Sequence, residues 1–166
     1  MESHAFGNFM PKNAKYLILG SFTAKQAVGK YYDAEYDWFY SNKRNQFWPI
    51  LEAVYGVELK DRECKQQFCS KMGFAVADII LKCERTKNSN LDVNLKNIVY
   101  NMAIKDFLWQ IEKIFFTSRF VEKKFRQVFK GIKPDIELVT LPSPSPRFTM
   151  RIEEKIRRYR ELLPSR

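Results

Sequence analysis

Lys15 to Phe22 reads Lys-Tyr-Leu-Ile-Leu-Gly-Ser-Phe, a continuous apolar run that stops at Gly20-Ser21. A strand with one wet face alternates polar and apolar residues. A strand without alternation is covered on both sides, as in a parallel sheet between helical layers. Ligands of such sheets sit beyond the carboxyl ends of the strands. Gly20 to Ala24 is therefore the first candidate site loop, although a glycine there also suits an ordinary strand-to-loop transition.

The remaining elements follow the same alternation. Pro49 to about Gly56 reads as a helix closed by glycine, and Asp61 to about Met72 as a second helix of mixed polarity. Gly73 to Ile80, continuing to Cys83, is the second buried strand. Asp92–Asn101 and Ala103–Ile111 are expected to be helices, the latter with Ile104, Phe107, Leu108 and Ile111 on one face. Lys113–Thr117 is the third strand. Ser118 is the N-cap of a helix running through Phe129, with Gly131 as terminator. Ile136–Leu141 is the fourth strand. A last helix starts at Thr149, with Glu153 and Glu154 in its first turn where the helix dipole favours them. Its buried face is Ile152, Ile156, Tyr159 and Leu163; Arg151, Lys155, Arg157, Arg158 and Arg160 form a basic face read as solvated surface. No linker or internal repeat divides the chain. The expectation is one α/β domain over residues 1–166, three layers deep (α/β/α), with a mostly parallel four-stranded sheet and a polar lead-in at 1–14.

With 166 residues and 45% hydrophobic content, the chain can fill one core. Its formal net charge of +10 raises the expectation of a polyanionic partner, because phosphate contacts release counterions. Three cysteines without a C-x-x-C pair point to neither a disulfide framework nor a zinc site, and are one short of a four-thiolate iron–sulfur cluster. His4 is the lone histidine and lies near the start of the chain, which argues against a histidine-based triad or metal centre. No metal or cofactor is expected. With no long apolar run and no signal-like start, a soluble, cytoplasmic or nucleoid-associated monomer is expected.

Two polar segments stand out. Tyr40 to Leu51 reads Tyr-Ser-Asn-Lys-Arg-Asn-Gln-Phe-Trp-Pro-Ile-Leu, an aromatic, two cations and several amides ahead of an apolar helix start. It can hold an amide rigidly beside a planar ligand, or simply be a polar loop before a core helix. Residues 25–45 make a loop longer than packing needs, which favours function. Pro142-Ser143-Pro144-Ser145-Pro146, with a proline at every second position, fixes an extended loop with little entropy left to lose.

Four loops thus end successive strands: Gly20-Ser21-Phe22-Thr23-Ala24; Asn45-Gln46-Phe47-Trp48-Pro49; Cys83-Glu84-Arg85 with Ser89-Asn90-Leu91-Asp92; and Leu141-Pro142-Ser143-Pro144-Ser145-Pro146. This set, in this order, resembles the uracil-DNA glycosylase superfamily, most of all its hypoxanthine-DNA glycosylase-like branch. The resemblance spans about Tyr16 to Leu163. It implies a monofunctional DNA glycosylase that flips out a deaminated base, uracil or hypoxanthine, and hydrolyses its N-glycosidic bond in base excision repair. Asn45 would be catalytic, orienting the attacking water or contacting the base, since an amide has no useful pKa as a base. Gly20, Ser21, Phe22, Tyr40 and Arg85 would bind the substrate, with Tyr40 stacking on the base. Lys43, Arg44, Ser143, Ser145 and Arg147 would contact DNA, with Phe148 beside them as a candidate wedge. The path would be dissociative, through an oxocarbenium-like sugar stabilised by the DNA phosphates.

The chain departs from that pattern in its first loop. Thr23-Ala24 replaces Pro-Gly, and Phe22 stands where other branches hold a water-activating Asp or Asn. Asp33, Glu35, Tyr36, Asp37 and Trp38 lengthen the following loop. The competing reading is a catalytically silent α/β module that binds nucleic acid through its basic face. A third, a phosphorylated small-molecule enzyme, is weakened because the chain has 6 Gly and no glycine-rich phosphate loop.

Overall fold

The computed structural model describes residues 1–23, 38–85, 94–132 and 135–166. Ala24, the extension at 33–37 and the Ser89–Asp92 motif lie outside the described residues.

Four strands form the central sheet: β2 (Tyr16–Gly20), β3 (Phe74–Asp78), β6 (Lys113–Phe116) and β7 (Glu137–Thr140), all parallel, in the order β3-β2-β6-β7. The lack of alternation in Lys15–Phe22 has the expected cause. Leu17, Leu19, Ala75, Ala77, Ile114 and Phe116 pack on one face, against Val121 and Phe125 of helix α3 (Arg119–Val128). Ile18, Val76 and Phe115 pack on the other, against α1 (Phe47–Tyr55), α2 (Arg62–Met72) and α4 (Ile152–Leu162). The result is the expected three-layer α/β/α architecture. Helix ends follow local chemistry. Ser118 Oγ accepts from Val121 N at 3.3 Å, Asp61 Oδ1 accepts from Cys64 N at 2.8 Å, and Gly56 and Gly73 close α1 and α2 in left-handed conformations.

A second, antiparallel sheet of β1 (Glu2–Ser3), β4 (Ile80–Arg85) and β5 (Leu95–Tyr100), ordered β1-β4-β5, corrects two expectations, and the segment after it corrects a third. The single strand expected from Gly73 to Cys83 is two strands in two sheets. After Ile79 the sequence carries Lys82, Glu84 and Arg85, which a sheet covered on both faces cannot hold, so the chain leaves it. Asn101 fixes the corner: its N donates to Ile79 O at 2.8 Å and its Nδ2 to Asp78 O at 3.0 Å. The helix expected over Asp92–Asn101 is a strand wherever it is described, because pairing with β4 overrides the pattern read from it. The helix expected over Ala103–Ile111 is two 3-10 turns, Met102–Asp106 and Leu108–Gln110, although Ile104, Leu108 and Ile111 are buried as expected.

The lead-in is also part of the fold. Phe9 and Val76 exchange backbone hydrogen bonds at 2.8 and 2.9 Å, which covers the open edge of β3. Phe115 is fully buried on the α1/α4 face of the sheet, and Phe115→Ala should cost about 3–5 kcal/mol of stability, read as a lowered urea midpoint.

Candidate functional site

The carboxyl ends of β2 and β3 meet in register, Gly20 opposite Asp78. Asp78 is 1% exposed, and a buried carboxylate requires donors. His4 Nε2 lies 2.7 Å from its Oδ2, and Thr23 Oγ1 donates to the same oxygen at 2.6 Å. His4 Nδ1 accepts from the backbone N–H of Phe6 and Gly7 at 3.2 and 3.1 Å. The ring proton therefore sits on Nε2 and points to Asp78. Both ring nitrogens are occupied, so His4 acts as a clasp between the N-terminal segment and the sheet, not as a base. Its side chain is 3% exposed, contrary to the expectation of a peripheral histidine.

Gly20 makes room for this arrangement. A Cβ there would collide with the Tyr40 hydroxyl and stand 2.5 Å from Asp78 Oδ1. Tyr40 reaches this position from a strained backbone, with φ at 58°. Its turn is pinned from several sides. Trp48 Nε1 donates to Phe39 O at 2.6 Å, Ser41 Oγ accepts from Trp38 N at 3.1 Å, and Trp38 stacks on Trp48 at 5.7 Å. The Tyr40 ring packs on Phe47 at 4.3 Å, while its buried hydroxyl has no hydrogen-bond partner among the described residues. Burial, and then the nearby Asp78 charge, hold its pKa well above the ordinary phenol value.

Asn45 ends a tight turn. Its N donates to Asn42 O at 2.9 Å, and Arg44 N donates to Asn42 Oδ1 at 3.0 Å. Asn45 Oδ1 accepts from Phe47 N at 2.9 Å, satisfying a donor at the start of α1. That bond fixes which end of the amide is which. The Nδ2 end meets no acceptor among the described residues, so a half-buried donor pair is left at the loop surface.

The Pro–Ser loop docks on this turn. Gln46 N donates to Pro144 O at 2.8 Å. Ser143 Oγ accepts from Ser145 N and Ser145 Oγ accepts from Arg147 N, both at 3.2 Å. Each hydroxyl is used as an acceptor, and neither donates within the described residues. Lys43, Arg44 and Arg147 are exposed and in no ion pair among the described residues. The loop is held from below by Lys155, which is 0% exposed rather than on the solvated basic face where the helical pattern put it.

The predicted residues therefore divide. Asn45, Lys43, Arg44, Ser143, Ser145 and Arg147 converge on one loop cluster, and Tyr40 and Gly20 share a close contact at the end of β2. Ser21 continues that strand end, its carbonyl accepting from Ile80 N at 3.0 Å. Phe22 packs edge-on against the His4 ring at 5.9 Å. Arg85 lies over Phe22 at 5.6 Å and pairs with Glu2 at 2.5 Å, so the N-terminal segment holds both. Two open depressions, of about 400 and 360 Å³, are lined respectively by Met1, Glu2, Glu84 and Arg85, and by residues around Asn13 and Gly73. Neither includes Tyr40 or Asn45. His4, Thr23, Asp78 and Lys155 went unrecognised in sequence. Asp78 was detectable as a carboxylate inside an apolar run, and Lys155 by its place between Ile152 and Tyr159.

Neither a protein-family model nor a curated protein sequence matches the chain. Among solved structures, the solution NMR structure of a candidate uracil DNA glycosylase from Methanosarcina acetivorans superposes with a TM-score of 0.71. It covers 98% of this chain and 99% of that chain, at 23% identity. At that identity the likeness establishes the fold: this chain has the α/β architecture of that protein over its full length.

Gly20→Ala should destabilise the protein by about 1–3 kcal/mol in chemical denaturation, because Tyr40 and Asp78 cannot both yield. His4→Ala, which strips Asp78 of a donor, should cost about 1–3 kcal/mol.

Proposed function

We propose that the chain is a monofunctional DNA glycosylase, acting as a monomer, that hydrolyses the N-glycosidic bond of a flipped-out deaminated base, uracil or hypoxanthine. One observation carries this reading: Phe47 N holds the Asn45 amide by its Oδ1, and its Nδ2 meets no acceptor among the described residues. Deamination replaces an exocyclic amino donor by a carbonyl acceptor. A fixed donor therefore accepts the damaged base and leaves the normal amino group facing another donor. The full-length fold likeness to a candidate uracil DNA glycosylase supports the same class.

In this reading the half-buried Tyr40 ring, backed by the buried Phe47, lies beside the extruded base. Lys43, Arg44 and Arg147 neutralise phosphates, and the Ser143 and Ser145 hydroxyls donate to the strand backbone. The C1′–N bond breaks with its electron pair leaving on the base, whose developing negative charge the Asn45 donors stabilise. Water then adds to the oxocarbenium carbon and loses a proton, and the base leaves neutral. With Phe22 lacking any polar group, the first loop supplies no activating carboxylate. Catalysis then rests on base extrusion and leaving-group stabilisation.

The test uses labelled oligonucleotides carrying uracil, hypoxanthine or xanthine, single-stranded and opposite each base, followed by alkaline cleavage. Uracil or hypoxanthine should be excised, and Asn45→Ala should lower the single-turnover rate about a hundredfold or more. No cleavage of any substrate, with salt-sensitive DNA binding intact, would leave the silent binding module as the better account.

A further inference from the structure

We propose that Lys155 is a positioning residue. It seats the Pro–Ser loop on the Asn45 turn, and its charge is completed by a phosphodiester of the bound DNA strand. The inference rests on the glycosylase reading for its ligand and on independent geometry for its residue. Lys155 Nζ donates to Gln46 Oε1 at 2.7 Å and to Ser145 O at 3.0 Å, and lies 5.4 Å from the Phe148 ring centroid. It thus bridges the residue after Asn45 to the loop carrying Ser143 and Ser145. Gln46 N reinforces the bridge through Pro144 O.

No carboxylate pairs with this ammonium among the described residues, and its contacts are a neutral amide, a neutral carbonyl and an aromatic face. A fully buried cation without a counter-ion is costly, and desolvation lowers the Lys155 pKa. Buried charge is screened far less than surface charge. On the loop that Lys155 holds, Ser143 and Ser145 use their hydroxyls as acceptors and donate to no described residue, so both hydroxyls can donate to an anion. A phosphate held by those hydroxyls would be bound by the same loop whose Ser145 carbonyl accepts from the ammonium. Binding would then relieve the buried charge while the same ammonium keeps Asn45 and the serines in register.

The experiment measures affinity for two duplexes, one with a single uracil and one with thymine in its place, as a function of salt. Wild type, Lys155→Met and Lys155→Arg are compared, with thermal unfolding recorded for each. Lys155→Met should bind both duplexes more weakly, with the slope of log affinity against log salt reduced by about one; Lys155→Arg, which keeps the charge, should keep the slope. Lys155→Gln gives the same reading should the methionine variant not fold. A lowered melting temperature with an unchanged slope would overturn the inference and leave Lys155 as packing alone. Wild type binding neither duplex would overturn it together with the glycosylase reading, an outcome distinct from an unchanged slope in a wild type that binds.

Discussion

Asp78 is a carboxylate at the end of a strand covered on both faces, and the donors it requires tie together parts of the chain that the central sheet alone would leave apart. His4 brings the N-terminal segment over the strand end, and Thr23 brings the first loop to the same oxygen. Asn101 takes the backbone oxygen of Asp78 and turns the chain into the second sheet. Gly20, opposite in register, has no side chain because Tyr40 and Asp78 occupy the space. One buried charge thereby fixes the N-terminus, the first loop, the corner between the sheets and the place of Tyr40. Net gain per hydrogen bond is small, but losing a donor to a buried carboxylate costs far more, so the arrangement is tightly enforced.

The parallel sheet was legible because a run such as Tyr16–Gly20 carries no alternation, and only a strand covered on both faces tolerates that. The helix boundaries were legible where local chemistry sets them, as at Ser118, Asp61 and Gly56. Leu95–Tyr100 was not, because its strand character comes from pairing with β4 rather than from its own residues. The same limit applies to the site. The two loops could be singled out by composition, but no periodicity shows that Gln46 and Pro144 touch, or that Lys155 turns inward beneath them. His4 looked peripheral because its partner lies 74 residues away.

The two loops form one unit. The Asn45 side chain is held by the Phe47 N–H at the start of α1, and the Ser143 and Ser145 hydroxyls accept two successive backbone bonds. Proline restricts the second loop before any ligand arrives, so little ordering is left to be done on binding. On the proposed reading, specificity and strand contact would come from groups whose acceptor atoms are already committed to the backbone.

The most direct test of this account is NMR of the Asn45 side-chain amide during titration with a duplex carrying 2′-fluoro-2′-deoxyuridine, whose fluorine disfavours the oxocarbenium ion and keeps the glycosidic bond intact. The account predicts that the Asn45 Nδ2 proton resonances shift on binding, and that a duplex with cytosine in place of the uracil leaves them in place. Shifts at Lys43, Arg44 and Ser145 with an unmoved Asn45 amide would contradict it, since the chain would then hold DNA without reading the base.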